Sequence, residues 1–251
     1  MRRLLIIGIG AGDPDYITVQ AINALNEADV FFVLDKGLEN DDLSGLRREI
    51  CERYITDHAY RYLVVADPPR DRTTTAYTAA VQDWHESRAV VYEELMLKEL
   101  GDDGTAAILV WGDPSLYDST LRVVEHLQDR GVLEFDWEVI PGISSVQALA
   151  ARHRLLLNRI GEPVHITTGR LLTATTSEID NVVVMLDSHC AFMNKDPDLL
   201  IYWGAYLGTP DEVLFAGRIG DVGEHIVQRR AQLRADKGWI MDTYVLRRAS
   251  E

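Results

Sequence analysis

The feature that most constrains this chain lies at its start. Residues 4–9 form an apolar run, Leu4-Leu5-Ile6-Ile7-Gly8-Ile9, which enters glycines at 8, 10 and 12 and then Asp13-Pro14. An apolar run without polar alternation, closed by glycines, is the pattern of a strand buried on both faces of a sheet. Thr18 then offers an N-cap for a helix through residue 28, with Val19, Ile22 and Leu25 spaced to face a core. Residues 30–34 supply a second apolar strand, so this stretch alone predicts a β-α-β unit and a parallel sheet.

The alternation continues. Helices are predicted over 41–54, 73–100, 119–130 and 146–153, with Gly101, Gly104 and Gly131 as stop signals. Strands are predicted over 63–66, 106–111, 137–140, 164–168, 182–186, 199–203, 213–216 and 240–246. The fold class is therefore α/β, with an N-terminal α/β domain at 1–117 and a C-terminal α/β domain at 118–251. A chain of 251 residues that is 47% hydrophobic and 26% charged has the apolar content for two cores. No apolar run approaches the roughly 20 residues of a membrane span. The glycines from Gly8 onward also interrupt the first run too early for a secretory signal.

Cys51 and Cys190 provide neither a disulfide framework nor a metal knuckle, and the histidines show no HxH or HxxxH spacing. The expectation is a cytoplasmic protein without a metal site. A net charge of −15 argues against a nucleic-acid partner, whose phosphates call for a basic surface. A polycarboxylate ligand would require basic residues gathered locally.

The first glycine loop allows more than one reading. A strand-loop-helix with Asp35 at the end of the second strand resembles the dinucleotide site of an NAD-dependent oxidoreductase. Against it stand GxGxG rather than GxGxxG spacing, a carboxylate at Asp13, and Pro14 ahead of a helix that starts only near Thr18. A purely structural turn and a different ligand remain open. Two later loops share the design: Trp111-Gly112-Asp113-Pro114-Ser115-Leu116-Tyr117, and Pro141-Gly142-Ile143-Ser144-Ser145. Singly, each reads as a helix cap. Together, at the carboxyl ends of parallel strands, they can line one cleft.

In order and spacing, these loops match GxGxGDPxxxT at residues 8–18, GDPxxY at 112–117 and PGxSS at 141–145. The chain thereby resembles the tetrapyrrole methylases, the class III S-adenosylmethionine methyltransferases. Segments such as VWGDPSLYDSTLR (110–122), LNRIGEPVHITTGR (157–170) and IYWGAYLGTPDE (201–212) extend the resemblance over nearly the whole chain. It implies two α/β domains with the cofactor cleft between them, S-adenosyl-L-methionine as cofactor and S-adenosyl-L-homocysteine as its product. It also implies a small-molecule tetrapyrrole substrate and a homodimer, with no membrane partner.

Carried onto matching positions, the cofactor contacts are Pro14, Gly112, Asp113, Ser144 and Ser145, with Leu186, Ala205 and Gly217 on later strands. Many members have glycine where Trp111 stands, and Met-Gly where Leu186-Asp187 stands. The implied reaction belongs to cobalamin biosynthesis: C-methylation of precorrin-5 at C-1, with an extruded two-carbon unit released as acetate. Sister reactions at other precorrin carbons share the fold. Asp13, Asp35 and Tyr117 are candidates for acid–base work. Lys36, Arg70, Arg72 and Arg170 are candidates for binding substrate carboxylates. Trp84, Tyr92, Trp203 and Tyr206 read as core or interface rather than as ligand-stacking residues.

Overall fold

The computed structural model describes residues 1–35, 41–56, 58–70, 77–174 and 180–249. The first sheet contains β1 (Arg2–Gly8), β2 (Val30–Asp35), β3 (Arg61–Ala66), β4 (Thr105–Val110) and β5 (Phe135–Ile140). Its order is β3-β2-β4-β1-β5, and every pair is parallel. Helices α1 (Val19–Leu25), α2 (Asp41–Tyr54), α3 (Tyr77–Glu99) and α4 (Thr120–Arg130) connect the strands.

The unbroken apolar run of β1 follows from this layering. Leu5 and Ile7 pack with Ala21 and Leu25 of α1 and Ile50 and Cys51 of α2. Leu4 and Ile6 pack on the other face with Tyr92 and Met96 of α3 and Val123 and Leu127 of α4. Successive side chains point to opposite faces, so a strand covered on both sides has no position for a polar residue.

The second sheet contains β6 (His165–Thr168), β7 (Val182–Met185), β8 (Leu200–Ala205), β9 (Val213–Arg218) and β10 (Asp242–Arg247), in the order β6-β7-β10-β8-β9. Only β6 and β7 run parallel. Helices α5 (Ser145–His153), α6 (Gly169–Ala174) and α7 (Ile219–Lys237) accompany it. Val184, Ile201, Trp203, Tyr244 and Leu246 form a core with Phe192 and with Ile219, Ile226 and Leu233 of α7.

The two compact units are Met1–Gly10 with Pro14–Ile143, and Ala11–Asp13 with Ser144–Glu251. The division thus falls later than the expected 117/118. The reason is β5, which pairs with β1 from Arg2↔Phe135 to Ile7↔Ile140 and draws α4 into the first unit.

Thr18 caps α1 as expected, its Oγ1 accepting from Ala21 N at 3.0 Å. The buried stripe is not the predicted one, however: Val19 is 74% exposed, and Ala21, Ala24, Leu25 and Ala28 face the core. That set keeps helical spacing, but with alanines in place of the bulkier residues that the apolar pattern favoured. Helices α6 and α7 were not predicted at all. In α7 the inward stripe is Ile219, Gly223, Ile226, Arg230 and Leu233, and its glycine and arginine conceal the apolar period.

Candidate active site

Strands β1 and β4 are neighbours whose chains leave toward opposite faces of the first sheet, β1 into α1 and β4 into α4. Such a switch point opens a crevice at the carboxyl ends of the strands. The two loops here remain tied together. Gly112 N donates to Gly10 O at 2.8 Å, and Gly10 N to Gly112 O at 3.3 Å. Gly142, after β5, joins them so closely that a Cβ on it would strike the Gly112 carbonyl and the Gly8 backbone. A Cβ on Gly8 would stand 2.6 Å from Gly142 N and 2.9 Å from Pro114 Cδ. Three backbones meet here because none of the three residues carries a side chain.

Asp113 braces this junction. Its Oδ2 accepts from Gly142 N at 2.9 Å, and its Oδ1 accepts from Ser115 N at 2.9 Å and from the Ser115 hydroxyl. Burial acts to raise its pKa, but the bonds from the Ser115 hydroxyl, Gly142 N and Ser115 N outweigh it and hold the carboxyl below its ordinary value.

The other first-unit candidates are spread along this edge. Pro14 starts a 3-10 turn through Tyr16, and its carbonyl accepts from the Tyr54 hydroxyl at 3.2 Å. Because only this short 3-10 turn follows Gly12 and the α-helix begins at Val19, the loop lacks the α-helical N-terminus a dinucleotide site needs, and that reading fails. Tyr117 has φ +53 and is 44% exposed. Asp35 is the exposed last residue of β2. The Arg70 guanidinium lies 5.5 Å from the centre of the Trp84 ring, which also lies 3.7 Å from that of Arg88. Lys36 and Arg72 lie outside the described residues.

One residue at this edge was missed by sequence reasoning. Arg47 of α2 donates from Nε to Leu109 O at 3.2 Å, beyond the point where the β2–β4 pairing ends at Phe31↔Ala107. Burial pulls its pKa below the usual arginine value, opposed by Tyr62, Tyr92 and Asp118.

In the second unit, Gly12 has φ +144, and a Cβ there would strike the Leu207 carbonyl. The segment Ala11–Asp13, with candidate Asp13, is therefore seated against the loop that follows β8. Ser144 caps α5: its N donates to Gln147 Oε1 at 2.8 Å and its hydroxyl donates to the same oxygen. Ser145 is the first residue of that helix.

Leu186, Ala205 and Arg170 share the edge where β6, β7 and β8 end. Met185 pairs with Thr243 and Ala205 with Asp242, while Thr168 pairs with Met185 just before Gly169-Arg170. Gly217 does not join them. Since β8 and β9 are antiparallel, Ala205 pairs with Val213 and Gly217 with Ile201. This places Gly217 about 13 Å away along the strand, at the opposite edge. The spacing of residues could not show this, because only the register reveals which end of a hairpin a residue occupies.

The second edge also holds a buried polar chain that the sequence reading did not single out. Asp187 Oδ2 accepts from the Tyr244 hydroxyl and from Ala191 N, both at 2.7 Å, and its Oδ1 accepts from His189 N at 3.0 Å. Arg230 Nη2 donates to the Asp187 carbonyl at 2.6 Å, and its Nε donates to Asp242 Oδ2 at 2.9 Å. Trp203 Nε1 donates to the same oxygen at 3.0 Å. Asp187, Arg230 and Tyr244 are each less than 8% exposed.

Known proteins match this architecture. The profile of the Tetrapyrrole (Corrin/Porphyrin) Methylases matches residues 3–223. The chain belongs to this family. It is accordingly a methyltransferase. The chain is 51% identical, over 253 aligned residues, to a precorrin-6A synthase (deacetylating) of Sinorhizobium sp, covering 100% of this chain and 97% of that relative. Among solved structures, a cobalamin-synthesis-related protein (CobF) of Corynebacterium diphtheriae is 40% identical with a TM-score of 0.86, and the match covers both chains fully. The fold is also that of a Thermus thermophilus uroporphyrin-III C-methyltransferase complexed with S-adenosyl homocysteine. There the TM-score is 0.59 at 18% identity, covering 98% of this chain and 92% of that one.

Among the described residues, no cluster of three His, Cys, Asp or Glu could hold a metal ion, and no helix is long and apolar enough to cross a membrane.

Proposed function

We propose that this protein is an S-adenosyl-L-methionine-dependent C-methyltransferase of cobalamin biosynthesis that methylates precorrin-5 at C-1 and releases acetate to give precorrin-6A. The observation that carries this reading is 51% identity, along the entire chain, to an enzyme named for that deacetylating reaction. The same reading makes the protein a cytoplasmic homodimer. The free thiols of Cys51 and Cys190 support the compartment.

The residues present fit the cofactor. Gly8, Gly112 and Gly142 let three loop backbones converge at the strand ends with no side chain between them, and Leu186, 66% exposed, offers an apolar surface for an adenosyl group. In this reading Pro14, Gly112, Asp113, Ser144, Ser145, Leu186 and Ala205 hold it. Asp113 and Ser144 do so mainly by fixing the loops that make contact, because both side chains are already bonded to their own loops. When bound, S-adenosyl-L-methionine supplies a methyl group already activated on a sulfonium.

The task left to the chain is to align the substrate carbon with that methyl group and to exclude water. Orientation of this kind lowers a barrier by about 7–11 kcal/mol. Arg70 and Arg170, with Lys36 and Arg72, are our candidates for gripping the substrate carboxylates. Loss of the two-carbon unit consumes water, and Asp13, Asp35 and Tyr117 are the candidates to orient that water or remove its proton.

The test is incubation of the purified chain with precorrin-5 and methyl-labelled S-adenosyl-L-methionine, followed by mass analysis of the products. One labelled methyl and one equivalent of acetate are expected. Failure to gain a methyl rejects the reaction, whereas methylation without acetate rejects only its deacetylating half.

A further inference from the structure

Left-handed backbone is costly for residues with a Cβ. At the carboxyl ends of β7 and β8 it nevertheless occurs at Leu186 (φ +53), Cys190 (φ +53) and Tyr206 (φ +49). Leu186 is also 66% exposed, so burial of its side chain does not offset the strain. A glycine would take the same φ at no cost. A leucine in that conformation implies that its side chain is used, and that something else holds the backbone in place.

What holds it is Asp187. One carboxylate ties down three points, His189 N, Ala191 N and the Tyr244 hydroxyl, and so fixes both ends of the turn that begins at Leu186. From α7, Arg230 clamps the Asp187 carbonyl and is itself held by Asp242 and, through that carboxylate, by Trp203. Gly169 keeps the space beside the carboxylate open, since a Cβ there would collide with Asp187. The bonds of Asp187 to Ala191 N, the Tyr244 hydroxyl and Arg230 are buried, so water competes little for them.

We propose that Asp187, fixed by Tyr244 and Arg230, is a positioning residue that keeps Leu186 displayed at the edge of the second sheet as an apolar contact for the adenosyl group of the cofactor. The inference rests on the methyltransferase reading above. Asp187 touches no reacting atom and acts only through Leu186.

Tyr244→Phe tests it in the full-length chain. It removes one hydroxyl and leaves the ring edge-on to Phe192 at 5.3 Å. Calorimetric titration with S-adenosyl-L-methionine is expected to give a Kd raised about tenfold, the effect of losing one hydrogen bond to a charged group. At saturating cofactor, kcat and the KM for the tetrapyrrole are expected to change less than about twofold. In a Leu186→Ala background the same substitution should add less than about twofold, because its effect runs through Leu186.

Leu186→Gly relieves the strain and tests the contact without endangering the fold: an undiminished melting temperature with about tenfold weaker cofactor binding is expected. An unchanged Kd in either single variant overturns the proposal, and so does a full Tyr244→Phe effect in the Leu186→Ala background. If the unmodified chain itself fails to bind S-adenosyl-L-methionine, the failure belongs to the proposed function and not to this inference.

Discussion

Two carboxylates, Asp113 and Asp187, do the same local job in different settings. Each follows a strand end, and each gathers three donors from its surroundings. Around Asp113 the backbone is glycine at 8, 10, 112 and 142, so the junction itself, left-handed at Gly10 and Gly112, carries little strain and one half-buried carboxylate holds it. Around Asp187 the strained positions carry side chains, and the brace is sunk into the core, backed by Arg230, Asp242 and Tyr244. The difference teaches that a loop can reach an unusual shape in two ways. It can omit side chains and be held lightly, or keep them and be held by a buried network.

The sharpest way to break this comparison is to remove the deeper brace. Asp187→Ala leaves the Tyr244 hydroxyl and the Ala191 amide without their acceptor in the interior, while Arg230 keeps the backbone carbonyl and Asp242, and a loss of about 3–5 kcal/mol in denaturant-monitored stability is expected. A cost no greater than that of Asp113→Ala would erase the distinction. Next in size is Gly142→Ala, whose methyl has no room against Gly112 and Gly8. It should cost about 1–3 kcal/mol and abolish measurable cofactor binding. Gly131→Ala is the control: this position is left-handed, as Gly142 is not, and its Cβ would meet nothing within 4 Å, so a cost of about 1 kcal/mol and normal binding are expected. Loss of cofactor binding in Gly131→Ala as well would mean that general destabilisation, and not the close approach of three backbones, explains the effect at 142.

The smallest effect belongs to Asp113→Ala, expected to cost about 1 kcal/mol because solvent reaches the site and weakens each bond. Its pH dependence is diagnostic. The folded pKa of Asp113 is lowered, so its contribution is present above the unfolded value of about 3.8 and is lost as pH falls through the lower folded value. The gap in melting temperature between wild type and Asp113→Ala should therefore be flat from neutral pH down to about pH 4 and close only in stronger acid. A gap that closes between pH 7 and pH 5 would show that another group holds the junction.

Much of the first edge could be read in the sequence because its elements are local. An apolar run, three glycines and a GDP turn state their own geometry, and parallel order follows from strand-helix alternation. The second edge could not be read in the same way. Asp187 looks like a polar residue ending a strand, and its partners stand far off in the sequence, Arg230 on a helix whose inward stripe it interrupts and Tyr244 on β10. The misplaced Gly217 has the same origin, since antiparallel register decides which end of β9 it occupies. The late boundary at Ile143 likewise reflects a long-range fact, the pairing of β5 with β1.

The seating of Gly12 on the Leu207 carbonyl has a consequence for how this chain can be divided. Neither compact unit is a continuous stretch of sequence, because Ala11–Asp13 packs with residues 144–251 while the chain on either side of it packs with the other unit. A cut after Ile143 therefore cannot release two whole modules. The fragment 144–251 would lack the three residues that its Tyr206–Thr209 loop is shaped to receive, and the fragment 1–143 would carry them with nothing to dock against. Permutation or fusion of this protein must keep residues 11–13 available to residues 144–251.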